Sequence, residues 1–496
     1  MSADARAIAL SLISHTNAGK TTLARTLLGR DVGEVRDAAH VTTEATPYPL
    51  IDTAEGDALL LWDTPGFGDS ARLARRLAQQ GNPIGWFLSQ IWDRFRDQPF
   101  YLSQQAVRNV RDEADVVLYL VNAAEAPADA GYLAPELDVL AWIGRPVVVL
   151  LNQTGPPRPH AEEQADVERW QAALGERPFV RHVLALDAFA RCWVQEIVLL
   201  RALAPAIVAD KAAAYRRLVA AWTSRRERQF AQTMAALATA IAGAACDSET
   251  LATPRLRDQL RTALRSVIAG AEEDAERQRA AHALASRLDD RLRASTDRLL
   301  VIHDLSGHAA DAVRARIGEH LRTQAPLHTG KAAAVGGVVS GALSGLAADL
   351  AAGGLTFGAG TLLGALAGAA GGAGVARGVN ALRGRSATHL GWDDELLERL
   401  VVSALLRYLA IAHFGRGRGE WSESEYPPFW RELVAELVAA RRPDLAALWA
   451  QRPPAGKATS ASEDMLAADL SRLLADAARA VLERLYPGAI SGAASE

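Results

Sequence analysis

The first 200 residues alternate short apolar runs with segments of helical spacing. The apolar runs are Ala7–Ile13, Leu59–Trp62, Val116–Val121, Pro146–Leu151 and Pro178–Leu186. Most of them end in a polar or turn-forming cluster, and runs of this length predict strands that are buried on both faces. Helical spacing between them, at Thr21–Leu28 and Leu133–Ile143, completes an alternating order of strands and helices. This order predicts a doubly wound α/β domain over residues 1–200.

The pattern changes after residue 200. Residues 201–330 are rich in Ala, Arg, Leu and Glu at helical spacing and contain few strand-like runs, which predicts a helical bundle or stalk. Residues 386–496 again have apolar residues at the spacing of amphipathic helices, so we expect a C-terminal helical domain there. The predicted fold class is therefore an α/β domain followed by a mostly α-helical region.

Residues 331–385 contain a Gly/Ala-rich apolar segment that predicts a helical hairpin. Between Ala332 and Ala376 the only charge is Asp349, and 13 of the 45 residues are glycines, many spaced four apart on one helical face. Two spans of about 20 residues could flank a turn at Gly353–Gly354, which is long enough to cross a bilayer. Basic residues flank both outer ends, as expected for a hairpin whose ends lie in the cytoplasm.

This hairpin leaves three interpretations open. It could be a constitutive membrane segment that contacts lipid, an amphitropic segment that inserts in one nucleotide state, or a buried element of the C-terminal domain. The first two place the chain at the cytoplasmic face of the inner membrane, and the third places it in the cytoplasm.

Charge and composition narrow the choice of partner. The net charge is −4 at pH 7, so no overall basic field indicates a specific nucleic acid. Only four of the 54 basic residues are lysines. One of these, Lys20, lies in the sequence S-H-T-N-A-G-K-T, which runs from Ser14 to Thr21.

That sequence predicts a phosphate-binding loop between a strand and a helix. It matches G-x-x-x-x-G-K-[ST] except that Ser14 replaces the first glycine. Backbone N–H groups of such a loop surround phosphates, while the lysine reaches the β- and γ-phosphates. The predicted nucleotide contacts are Asn17, Ala18, Gly19, Lys20, Thr21 and Thr22.

A second motif supplies the expected metal site. The run Leu59–Trp62 leads into D-T-P-G, in which Asp63 can hold Mg²⁺ and the Gly66 amide can contact the γ-phosphate. Between the two motifs lies a Thr-Thr pair, and Thr43 is the first choice, ahead of Thr42, for a threonine that closes on the metal. The predicted Mg²⁺ ligands are Thr21, Thr43 and Asp63.

These motifs resemble the Era- and MnmE-like branch of P-loop GTPases, through N-A-G-K-T, the Thr pair and D-T-P-G. The resemblance implies binding of GTP and GDP with Mg²⁺, hydrolysis of GTP, and a homodimer through the GTPase domain as one option. Phe67 stands where Ras-like GTPases have a water-orienting glutamine. In some relatives an asparagine at the position of Asn17 helps bind potassium, which makes K⁺ a candidate cofactor. The residues implied in catalysis are Lys20, Asn17, Thr43 and Gly66.

The resemblance weakens at the base-recognition motif. The family pattern N-K-x-D reads N-Q-T-G here, so Asn152 is retained, Gln153 replaces lysine, and Gly155 replaces the aspartate that binds guanine. Asp187 is a candidate substitute for that aspartate. The loss of the aspartate leaves GTP, ATP and XTP open as substrates.

Further segments along nearly the whole chain carry a second resemblance; they are PGFGDS, GNPIGWFLSQIWDRFRDQPF, LVNAAEAPADAGY, LLNQTG, GGLTFGAGTLLGAL and HFGRGRGEW. They resemble a bacterial family that joins an Era-like GTPase to a C-terminal domain of unknown function of the DUF3482 type. Together these observations predict a GTP-hydrolysing switch with a low intrinsic rate at the inner membrane. The alternatives are a membrane-associated scaffold that binds nucleotide with little hydrolysis, and an ATPase.

Overall fold

The computed structural model describes thirteen stretches of the chain. They are residues 6–15, 18–29, 46–64, 66–67, 69–79, 100, 107, 110–155, 157–188, 192–251, 266–305, 389–414 and 427–490. The chain divides into two compact units, and the first comprises Met1–Glu227, Ala412–Pro427 and Leu482–Glu496. The second comprises Arg228–Ile411 and Pro428–Val481. The domain bounds predicted from the sequence stay predictions, and those near residues 330 and 385 lie outside the described residues.

A six-stranded sheet forms the centre of the first unit. Its strands are β1 (Ala7–Ser14), β2 (Thr46–Asp52), β3 (Ala58–Asp63), β4 (Val116–Asn122), β5 (Val147–Asn152) and β6 (Val180–Ala185). Their order in the sheet is β2-β3-β1-β4-β5-β6; β2 runs antiparallel to β3 and all other neighbours are parallel. The five predicted runs are thus all strands, and the predicted α/β fold is confirmed.

Five described helices lie wholly within this unit. They are α1 (Lys20–Leu28), α2 (Ser70–Gln79), α3 (Leu133–Ile143), α4 (His160–Leu174) and α5 (Trp193–Leu203). The α3 bounds are those expected from the apolar spacing. Residues of β1, β4, β5, α3 and α4 share one hydrophobic cluster that includes the buried rings of Trp170, Tyr119 and Phe67. All six positions of β5 are buried, which explains why its sequence VVVLLN lacks polar alternation.

The edge strand β2 was not indicated by the apolar pattern. Its sequence, TPYPLID, contains two prolines, and Ile51 is its only buried position. Proline cannot donate a ladder hydrogen bond, so it is tolerated in a strand mainly at a sheet edge. A mostly exposed edge strand has no continuous apolar run, and pairing with β3 decides its conformation.

The second unit is mainly helical. The remaining helices are α6 (Ala212–Cys246), α7 (Ser266–Ile302), α8 (Asp394–Ala412), α9 (Pro428–Ala439), α10 (Arg442–Trp449) and α11 (Ser460–Leu485). Most of their residues belong to the second unit, whereas residues 212–227 of α6, Ala412 of α8 and residues 482–485 of α11 belong to the first. Two short strands, β7 (Ser248–Thr250) and β8 (His389–Gly391), pair antiparallel. Arg287 of α7 makes two hydrogen bonds of 2.9 Å to Asp247, directly before β7. The predicted mostly helical C-terminal region is confirmed.

The described helices do not include a membrane-spanning candidate: none combines the length and hydropathy that a span requires. The predicted Gly/Ala-rich hairpin, from Ala332 to Ala376, lies outside the described residues.

Candidate nucleotide site

The phosphate loop connects the end of β1 to the start of α1. Gly19, directly before α1, has φ of +86°, a conformation that favours glycine. A Cβ at this position would lie 2.6 Å from Asn152 Nδ2, so a side chain would also collide with the base loop. The first turn of α1 contains no acidic residue, which leaves the positive end of the helix dipole available to an anion.

Lys20 is buried at the start of α1, where its ammonium has few water contacts. Its Nζ donates a hydrogen bond of 2.9 Å to Ser14 Oγ, the hydroxyl that replaces the first glycine of the motif. Burial lowers the pKa of Lys20, and the negative charges of Asp63 and Glu136 oppose that shift. A poorly hydrated cation near two acids is well prepared to bind phosphate oxygens.

Thr21 and Asp63, two of the predicted metal ligands, are in direct contact. Thr21 Oγ1 donates a hydrogen bond of 2.7 Å to Asp63 Oδ2 across the ends of α1 and β3. Asp63 Oδ1 is buried and has no hydrogen-bond partner within the described part of the chain. Burial raises the pKa of Asp63, against the hydrogen bond from Thr21 and the nearby Lys20 charge. An unsatisfied carboxylate oxygen beside a threonine hydroxyl fits a hard cation such as Mg²⁺.

Phe67 is held by its backbone and by the packing of its ring. Its backbone N–H donates to the Ser14 carbonyl (2.9 Å), and its ring is fully buried in the hydrophobic cluster beside the sheet. The preceding Gly66 is also buried, one residue from this hydrogen bond. The segment after β3 is therefore tied to the end of β1, next to the Lys20 contact.

Asn152 joins the phosphate loop to the two loops of the predicted base site. Its Nδ2 donates to the Ala18 carbonyl (2.7 Å), while its Oδ1 accepts from the Ala188 N–H (2.8 Å). The side chain is fully buried. Asn152 thus holds three segments that are distant in sequence.

Asp187 braces the N-Q-T-G loop. One carboxylate oxygen, Oδ2, accepts hydrogen bonds from the Thr154 N–H (2.7 Å) and from Thr154 Oγ1 (3.0 Å). The loop needs such support, because Gln153 has a positive φ of 59° and Gly155 one of 85°. Within the described residues, no atom lies within 4 Å of the position that a Cβ of Gly155 would occupy.

Comparison with protein families agrees with this geometry. Residues 10–153 match a family model described as 50S ribosome-binding GTPase. Residues 173–467, more than half of the 496, match the model described as domain of unknown function DUF3482. The chain belongs to the DUF3482 family. Its N-terminal region is a P-loop GTPase domain, and no curated protein matches the chain.

The solved structures similar to this DUF3482-family protein include Era and the G-domain of FeoB. A variant of Era from Aquifex aeolicus bound to GDP·AlF₄⁻ is 16% identical, with a TM-score of 0.28 over 36% of this chain and 51% of that one. Era in complex with MgGDPNP and a 16S ribosomal RNA segment is also 16% identical, with a TM-score of 0.28 over 37% of this chain and 51% of that one. The FeoB G-domain of Methanococcus jannaschii is 18% identical, with a TM-score of 0.20 over 37% of this chain and 86% of that one. The DUF3482-family chain spans about half the length of the Era chains it matches.

The structure brings most predicted site residues together in the DUF3482-family GTPase domain. Ala18, Gly19, Lys20 and Thr21 lie on the loop and the first turn of α1, and Thr22 is buried in that same turn. Asn152 is bonded to Ala18, and Gln153 Nε2 would lie 3.8 Å from a Cβ at Gly19. Asn17, Thr42 and Thr43 lie outside the described residues, and a base contact by Asp187 stays a prediction.

Sequence reasoning missed a polar cluster behind the phosphate loop. Glu136 of α3 is fully buried and contacts His15 of the loop and Tyr119 of β4, while the His15 ring stacks on Tyr132 with 4.4 Å between centroids. One signal was available: Glu136 lies three residues after Leu133 and four before Leu140, on the apolar face of the predicted helix. A buried acid in such a helix needs a partner, but the sequence does not say which one.

Proposed function

We propose that this protein is a Mg²⁺-dependent molecular switch that binds GTP and hydrolyses it slowly. The observation that carries the proposal is the convergence of Lys20, Thr21 and Asp63 where β1 and β3 end, at the N-terminus of α1. A charged group for phosphates and an oxygen pair for a hard cation meet at one helix end. The reaction is phosphoryl transfer to water.

Each residue of the site has a role in this proposal. Lys20 binds the β- and γ-phosphates, helped by the backbone N–H groups that follow Gly19. Thr21, Asp63 and Thr43 would hold Mg²⁺, which neutralises charge on the phosphates when bound. Gly66 offers a backbone N–H to the γ-phosphate. Asn17 would contribute a ligand to a potassium ion.

A slow intrinsic rate follows from the place of Phe67. Its ring is buried in the core, so this position offers no amide that could orient the attacking water. The remaining contributions are charge neutralisation and alignment of the phosphates. Asn17, with a monovalent cation, is the candidate for additional charge stabilisation.

The test combines nucleotide binding with phosphate release in the presence of Mg²⁺. We expect Lys20→Ala to abolish tight binding and hydrolysis, since the β- and γ-phosphate charges lose their partner. Lys457→Ala is the matched control: it removes the same charge from an exposed residue between α10 and α11 and should behave as wild type. Normal affinity in a folded Lys20→Ala protein would refute the site.

A scaffold that binds nucleotide without turnover is the second candidate, favoured by the buried Phe67. Binding of GTP with no phosphate release above the Lys20→Ala background would support it. An ATPase is the third, favoured by Gly155 in place of the guanine-binding aspartate.

The proposal extends to place and partners. The Gly/Ala-rich residues Ala332–Ala376, with basic flanks, support action at the cytoplasmic face of the inner membrane in contact with lipid. Assembly as a homodimer through the GTPase domain rests on the family resemblance alone.

A further inference from the structure

Glu136 is a buried acid whose two oxygens are both engaged. Oε1 lies 2.8 Å from His15 Nδ1, and Oε2 accepts a hydrogen bond of 2.7 Å from the Tyr119 hydroxyl. The side chain is 0% exposed, in the first turn of α3. Burying a carboxylate is costly, so these two partners determine whether the group is stable there.

His15 connects this acid to the phosphate loop, of which it is the second residue. Its carbonyl accepts a hydrogen bond from the Ser14 hydroxyl, and the same hydroxyl accepts one from Lys20 Nζ. His15 also pairs with Phe67 in a parallel bridge, beside the hydrogen bond from the Phe67 N–H to the Ser14 carbonyl. The backbone of His15 thus lies between the phosphate-binding lysine and the segment that follows β3.

The side chain of His15 has two described restraints. Glu136 holds Nδ1, and the ring of Tyr132 stacks on the imidazole with planes 11° apart. Both contacts come from α3 and the residue that precedes it. The start of α3 therefore holds the side chain of His15 at the start of the loop.

We propose that Glu136 is a positioning residue for nucleotide binding: it acts through His15 to fix the first turn of the phosphate loop, and so the Ser14 hydroxyl that orients Lys20. Glu136 itself does not touch the nucleotide. This inference rests on nucleotide binding at the proposed site and adds α3 to the elements that shape it.

The competing explanation is that Glu136 only stabilises the fold. The variant Tyr119→Phe distinguishes the positioning role from a purely structural one. It removes one hydrogen bond of Glu136 but leaves the contact between Glu136 and His15 in place. The variants His15→Ala and Glu136→Leu remove the link to the loop. Glu136→Gln is the conservative variant, since an amide oxygen can still accept from His15.

The experiment measures affinity for GDP with Mg²⁺ by calorimetry, together with a thermal melt of every variant. We expect His15→Ala and Glu136→Leu each to weaken GDP binding about tenfold, the equivalent of one lost charged hydrogen bond. The double variant should also lose about tenfold and not a hundredfold, because the two residues act as one unit. Glu136→Gln should bind GDP within about twofold of wild type, and Tyr119→Phe should melt at a lower temperature but bind normally.

The inference is wrong if His15→Ala binds GDP as wild type does, or if Tyr119→Phe weakens binding as much as His15→Ala. It is also wrong if Glu136→Gln binds as weakly as Glu136→Leu. Absence of GDP binding in the wild-type protein would instead overturn the proposed function, and this inference with it.

Discussion

Lys20 illustrates how single residues set the electrostatics of the site. Its ammonium is buried, hydrogen-bonded to Ser14 and close enough to Asp63 and Glu136 for both to stabilise its charge. A cation with little water around it loses little hydration when phosphates arrive. Orientation and desolvation are thus arranged before the nucleotide binds, which is why we expect Lys20→Ala to be so damaging.

We predict that base selectivity depends on Gly155 and Asp187. A site that lacks the usual carboxylate cannot use it to reject other bases, and Asp187 already accepts two hydrogen bonds from Thr154. We therefore predict affinities for GTP, ATP and XTP that lie within about tenfold of one another. Direct binding measurements on the three nucleotides test this.

The variant Asp187→Asn distinguishes two roles of Asp187, support of the N-Q-T-G loop and contact with the base. If Asp187 braces the loop, the variant should weaken binding of all three nucleotides to a similar degree. A strong preference for GTP over both ATP and XTP, lost only in Asp187→Asn, would show instead that Asp187 replaces the missing aspartate.

Asn17 carries the prediction on monovalent cations. If its side chain helps to hold potassium, hydrolysis should be faster in KCl than in NaCl at equal ionic strength, because the ion adds charge stabilisation at the phosphates. Asn17→Ala should remove that difference while GTP still binds. Equal rates of phosphate release in both salts would leave Asn17 with a purely structural role.

Among the elements, the first part of α6, which belongs to the first unit up to Glu227, is bound to acidic residues of that unit. Glu196 of α5 accepts hydrogen bonds from Trp222 Nε1 (2.9 Å) and Arg226 Nε (2.8 Å), both on α6. Asp57, in the turn between β2 and β3, accepts from Arg217 Nε (2.7 Å) and Nη2 (3.0 Å). The start of α6 is therefore bound to α5 and to the β2–β3 turn.

The Asp57–Arg217 pair predicts a pH-dependent stability. The Arg217 hydrogen bonds hold the pKa of Asp57 below its usual value. The ion pair contributes fully to the free energy of unfolding above the pKa of Asp57 in the unfolded chain, which is about 3.9. This contribution is lost as the pH falls through the lower pKa that Asp57 has in the folded protein. Because the Arg217 side chain is 37% exposed, we expect Asp57→Asn to cost only about 1–2 kcal/mol at pH 7.

Urea unfolding at pH 7 and at pH 3 measures this effect. The difference in the free energy of unfolding between wild type and Asp57→Asn should be smaller at pH 3 than at pH 7. Asp52→Asn, the same change at an exposed residue of β2, is the control and should be close to neutral. If Asp57→Asn lowers the free energy of unfolding equally at both pH values, the ion pair is not the source of the stability.

At the scale of the whole molecule, the Gly/Ala-rich segment from Ala332 to Ala376 carries the prediction about location. It lies between α7 and β8 in the sequence. Residues that carry one charge in 45 are poorly suited to a solvated surface, so we expect lipid or protein to cover them. This is the feature that would link the GTPase domain to a membrane.

Membrane fractionation tests that link. The full chain and a variant lacking Ala332–Ala376 are expressed, and membranes are extracted with carbonate. We expect the intact chain to stay in the membrane pellet, with GDP or with a GTP analogue, and the deletion variant to be released. An intact chain that remains in the supernatant with both nucleotides would identify the segment as a protein-covered core element.

The sequence by itself determined the elements that depend on local spacing. Five strands of the sheet, the bounds of α3 and the loop from Ser14 to Thr21 follow from short apolar runs and a motif with fixed spacing. Burial of a parallel strand demands apolar side chains on both faces, so the pattern is readable without the fold. The pairing of Lys20, Thr21 and Asp63 was predictable because strand ends and a helix start bring them together.

Only the tertiary structure decided the contacts between segments that are far apart in sequence. Glu136 lies 121 residues from His15, and Thr154 lies 33 from Asp187, and no local spacing relates them. Strand β2 escaped prediction for the same reason, since an exposed edge with two prolines owes its conformation to β3. Hydrophobic periodicity reports which face is buried, whereas the partner of a buried polar group depends on how the chain packs.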